Sequence, residues 1–70
     1  MTDLFVIWSW KHRAWWAPDR EGYTQHIGEA GRYSFEEASD IVIRHLPAGE
    51  EVAIFLSEAM LRGAPRAFGP

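Results

Sequence analysis

Residues 4–10, LFVIWSW, are apolar on both faces of an extended chain. Alternate side chains of a strand point to opposite sides. Leu4, Val6, Trp8 and Trp10 therefore share one face, and Phe5, Ile7 and Ser9 the other. Such a strand belongs in the middle of a sheet, with apolar material above and below it. A chain of 70 residues has little material for two covers, and with no cysteine it has no disulfide to replace them. Burial has to supply the stability, and a 47% hydrophobic content with 14% aromatic residues provides for it.

The rest of the chain is read around that strand. Lys11-His12-Arg13 is expected at a hairpin tip, although the Asn-Gly signal of the tightest hairpins is missing. Ala14–Ala17 is a short return strand stopped by Pro18, with Trp15 and Trp16 on opposite faces. Asp19–Gly22 is a turn, and Thr24 is expected to cap a short helix over residues 25–30 that Gly31 closes. Ser34-Phe35-Glu36-Glu37 matches the capping box, in which the serine accepts from the third helical amide and the glutamate reaches back. From there Phe35, Ala38, Ile41, Val42 and His45/Leu46 keep helical spacing, and Pro47 and Gly49 end the helix. Residues 51–56 form a third strand, and Ser57 is expected to cap a last helix over residues 58–62.

The expectation is an α+β fold of order β-β-α-β-α. A small antiparallel three-stranded sheet carries one main helix, residues 1–63 make a single domain, and 64–70 form a loose tail. One helix covers one face. The second face then needs the short helices, the tail or a partner.

Charge is unevenly placed within the net −3. Residues 1–20 set Lys11, Arg13 and Arg20 against Asp3 and Asp19, whereas residues 21–58 set only Arg32 and Arg44 against eight acids. The dominant basic footprint of a nucleic-acid binder is missing. No targeting segment or membrane span is expected, and a cytoplasmic location is.

The residues give little to catalysis. His12, His26 and His45 lack the paired spacing of a zinc site, and GxSxG, GxGxxG and GxxxxGK do not occur. Ser34 and Ser57 are read as helix caps, and acids on an exposed helix face are expected to be solvated, without the burial or like-charge clash that tunes a catalytic carboxylate. The chain is therefore read as a non-enzyme without cofactor or metal.

Two surfaces remain. One is the hairpin: Trp10, Lys11, His12, Arg13, Trp15, Trp16 and Arg20. Trp8 and Trp10 are expected in the core, and one of Trp15 and Trp16 at a contact surface. Indoles with cations suit a stacking platform for nucleic acid, and they suit a protein interface better, where Trp and Arg dominate the binding energy. The other surface is acidic: Glu29, Glu36, Glu37 and Asp40. It is a solvated face, or a patch that imitates nucleic-acid charge against a basic groove.

The arrangement WWAPDREGYT (15–24) followed by EAGRYSFEEA (29–38) resembles a group of small phage and prophage proteins. They share an N-terminal apolar strand ending in tryptophan, Trp-Trp-x-Pro, Gly-Tyr-Thr, and Ala-Gly-x-Tyr-Ser opening a helix. The resemblance covers roughly residues 4–45. Small acidic phage proteins include anti-CRISPR inhibitors, several of which block type I surveillance complexes. The resemblance thus implies a binding protein whose partner is a host protein such as a CRISPR effector subunit. It carries over no functional residue. The chain is expected to act as a monomer rather than a homodimer, away from membranes. A nucleic-acid-binding accessory role through the hairpin is the alternative.

Overall fold

The computed structural model describes residues 4–63. The expected tail at 64–70 lies outside them. Four strands, β1 (Phe5–Ser9), β2 (Ala14–Trp16), β3 (Tyr23–Thr24) and β4 (Glu51–Phe55), form one antiparallel sheet in the order β3-β2-β1-β4. Helix α1 (Phe35–Arg44) lies against one face and α2 (Leu56–Arg62) against the other. The α+β class stands, with four strands in place of three.

The apolar strand takes the central place that its two-sided pattern requires. Val6 and Trp8 join Trp15, Ala30 and Ala59 in one cluster, with Trp10, Ile27, Ile54 and Leu56 at its margin. Ile7 joins Trp16, Tyr33, Ala38 and Ile41 in the other, with Phe5 and Ala53 beside it. The second face is thus covered by α2 and by the segment around Ile27–Ala30.

The capping box is present in full. The Ser34 hydroxyl accepts from the Glu37 amide at 3.2 Å, and the Glu37 carboxylate accepts from the Ser34 amide at 3.1 Å. α1 is shorter than the expected 35–46. His45 takes the C-cap position, its Nδ1 2.7 Å from the Ile41 carbonyl oxygen.

Three local expectations are corrected. Thr24 does not cap a helix. It lies in β3, its hydroxyl accepts from the His26 amide at 3.2 Å, and only a single 3-10 turn, Ile27–Glu29, follows. Pairing of Tyr23 with Trp16 and of Thr24 with Trp15 holds this segment extended. Ser57 is not a cap either, because α2 begins at Leu56, directly from β4, with Phe55 in the cap position and no side-chain cap. Third, Gly31 does not end a helix but packs against its neighbours: a Cβ there would lie 2.9 Å from both the Ala17 oxygen and the Pro18 Cα.

Candidate binding surfaces at the hairpin and the acidic helix

The β1–β2 connection places the first candidate surface. Ser9 pairs with Ala14, leaving Trp10–Arg13 as a four-residue loop. The loop closes without Asn-Gly because Arg13 itself adopts a left-handed conformation, φ 50°. That conformation is uncommon for a residue with a Cβ, and two contacts hold it. The His12 amide donates to the buried Ser9 hydroxyl at 3.2 Å, and Gln25 Nε2 donates to the Arg13 carbonyl at 3.0 Å.

Lys11, His12 and Arg13 are all exposed at this tip. The His12 ring stacks on Tyr23 with centroids 4.0 Å apart, and Tyr23 meets Trp16 edge-on at 6.0 Å. Neither Lys11 nor Arg13 has an ion-pair partner among the described residues. The result is two stacked rings and two exposed cations on a braced turn.

The indoles stand behind this surface. Trp15 is 2% exposed and Trp16 8%, one on each side of the sheet, so neither is a contact residue of the free chain. This corrects the expectation that one of them faces a partner. The reason is that both faces are covered. Trp10 is half-buried, edge-on to Trp8 at 6.1 Å. The Nε1 atoms of Trp8 and Trp16 are buried without a hydrogen-bond partner among the described residues.

Arg20 does not join the hairpin. Asp19 and Arg20 are both left-handed, φ 59°, and turn the chain toward α1. The Tyr33 hydroxyl fixes this turn, donating to the Ala17 carbonyl and accepting from the Arg20 amide at 3.1 Å. Burial raises the Tyr33 pKa, and the Arg20 amide and charge oppose that rise in part. Arg20 then reaches Asp40 at 3.2 Å.

That ion pair alters the acidic surface. Asp40 also accepts from Arg44 Nε at 2.8 Å. The hydrogen bond from Arg44, and after it that from Arg20, hold its carboxyl below the ordinary aspartate range. Glu37 is engaged in the capping box, and Glu29 lies off the helix, accepting from the Thr24 hydroxyl at 3.4 Å. Glu36 is exposed. The four acids therefore do not form one continuous negative face: Arg20 and Arg44 interrupt it.

Tyr23 is the surface residue that the sequence reasoning missed. Its place after the Gly22 turn was visible, but its stacking on His12 depends on β3 pairing with β2. Among the described residues no three His, Asp or Glu side chains converge as metal ligands, and no helix is long and apolar enough to cross a membrane. Compared with protein-family models, curated proteins and solved structures, the chain matches none.

Proposed function

We propose that this chain is a non-enzymatic, phage-derived inhibitor that acts by binding a host defence protein. In its sharpest form it blocks target-DNA binding by a type I CRISPR surveillance complex. The observation that carries this reading is the hairpin tip, where Lys11, His12 and Arg13 are exposed beside Tyr23 and braced from behind by Ser9 and Gln25. Preorganised aromatic and cationic side chains favour binding because little ordering remains to be done on association. The acidic face supports charge mimicry less well, since Arg20 and Arg44 both pair with Asp40 within it.

The test is a tagged pull-down from lysate of a bacterium with an active CRISPR system, with and without nuclease. Capture of surveillance-complex subunits that survives nuclease, and that is lost with the double variant Lys11→Glu/Arg13→Glu, is the expected result. Each charge at the rim of such a contact changes affinity by a few-fold, so the double reversal lowers it by about tenfold or more. Loss on Glu36→Lys instead moves the contact to α1.

The stacked His12–Tyr23 rings and exposed cations also favour a second reading, a nucleic-acid-binding accessory protein. It requires a low-salt complex that weakens steeply as salt rises. A chain that shifts no single or double strand at low salt removes it.

A further inference from the structure

β4 is the outer strand of the sheet on the side opposite β3. The Leu56 amide donates to Leu4 and the Trp10 amide donates to Glu50, each at 2.8–2.9 Å, closing the β1–β4 ladder at both ends. In an antiparallel ladder, bonded and non-bonded pairs alternate. Val52 and Ile54 therefore direct their backbone groups at β1, while Glu51, Ala53 and the Phe55 amide direct theirs at the open edge; the Phe55 carbonyl belongs to the first turn of α2.

Beside that edge lies an apolar groove of about 390 Å³ between α1 and β4. Phe5, Phe35, Val42, Ile43 and Ala53 line it, and Glu51 is the one charged residue among the described residues that line it. Phe35 is 63% exposed, Ile43 64% and Phe55 51%, with Phe5 stacked on Phe55 at 4.8 Å. Glu51 is 8% exposed, and its carboxylate has neither a hydrogen bond nor an ion pair among the described residues. The carboxylate oxygens themselves stay open to solvent, so a cation entering the groove can reach them.

We infer that β4 and this groove receive an extended segment of another protein, apolar at alternate positions and bearing a lysine or arginine opposite Glu51. Among the described residues five backbone groups, the amides of Glu51, Ala53 and Phe55 and the carbonyls of Glu51 and Ala53, face the open edge, and an added antiparallel strand pairs with them. Its side chains opposite Phe55 and Ala53 enter the groove, and the cation two residues further on meets the carboxylate. A second copy of this chain fits worse. In every two-fold antiparallel register Glu51 meets Glu51, Ala53 or Phe55 of the other copy, never a cation. A charge pointing inward on an edge strand also opposes self-pairing. This surface is separate from the hairpin, and its test does not depend on the hairpin reading.

The probe is the peptide acetyl-Val-Thr-Val-Thr-Lys-amide, with a twin carrying Glu in place of Lys. Both are titrated into the isotope-labelled full chain and followed by amide NMR. The Lys peptide is expected to move and protect the Ala53 and Phe55 amides, and to bind about fivefold or more tightly than its twin. Glu51→Gln should level the two peptides. Ala53→Pro should abolish binding of both without breaking the β1–β4 ladder, because its amide points outward. If that variant fails to fold, the Glu51→Gln comparison decides alone. Amides that stay still at millimolar peptide, or equal binding of both peptides to the unaltered chain, overturn the proposal. So does movement of the same amides with protein concentration alone, which assigns the edge to a second copy.

Discussion

The two faces of the sheet are covered in different ways. On one, α1 is a ten-residue helix with a complete capping box, packed through Ala38 and Ile41 onto Ile7 and Trp16. On the other, α2 is seven residues long without a side-chain cap, and it shares the work with Ile27 and Ala30. The side with the better helix is the one left partly open, because a groove lies between α1 and β4. The side with the poorer cover is filled from within. Trp8 lies edge-on to Trp15 at 5.0 Å and to Trp10 at 6.1 Å, so three indoles occupy volume that a longer helix would otherwise fill. Helix quality and closure of a core are therefore separate properties in a chain this small.

The comparison is broken most directly at Trp15. Trp15→Ala removes the centre of the indole cluster, and a buried aromatic truncated to alanine costs about 3–5 kcal/mol. Small domains have only about 5 kcal/mol or a little more in reserve. Thermal or urea unfolding followed by circular dichroism should show a chain at or below the folding threshold. A loss below about 1 kcal/mol would mean that α2 and Ala30 hold that face without the rings.

The α1 side is sharpened by Ser34→Ala. It removes one half of the capping box and should cost about 1 kcal/mol, with the fold kept. Equal sensitivity to Ser34→Ala and Trp15→Ala in the same unfolding assay would contradict the contrast drawn between the faces.

The smallest expected effect is at Asp40. Its folded carboxyl titrates below the unfolded one, so its contribution is complete above the ordinary carboxylate range and is lost as pH falls through the lower folded value. Melting temperature across the acid range should fall less for Asp40→Asn than for the unaltered chain. The difference should be below about 2 °C and should shrink with added salt.

Legibility in the sequence follows the range of the interactions. The capping box spans four residues and closes within them, so α1 was readable to its first residue. The central place of β1 was readable because both of its faces are apolar. β3 was not readable: two residues have no period, and only register with Trp15 and Trp16 makes them a strand. The start of α2 at Leu56 carries no capping signature. At the hairpin, the exposure of Lys11, His12 and Arg13 was legible, but the burial of both Trp15 and Trp16 required knowing that each face has a lid. The Arg20–Asp40 pair spans twenty residues and depends on two left-handed residues that neither glycine nor asparagine announces.

The distribution of the indoles has an optical consequence. Trp8, Trp10 and Trp15 form a set of adjoining rings on the α2 side, while Trp16 lies alone on the α1 side against Tyr23 and His45. Rings fixed at such distances act as a coupled chromophore, whose near-ultraviolet dichroism persists only while side-chain packing is fixed. The molecule therefore carries a different built-in label on each side of one sheet. Near-ultraviolet spectra of single-tryptophan replacements on each side would then report which lid has loosened first.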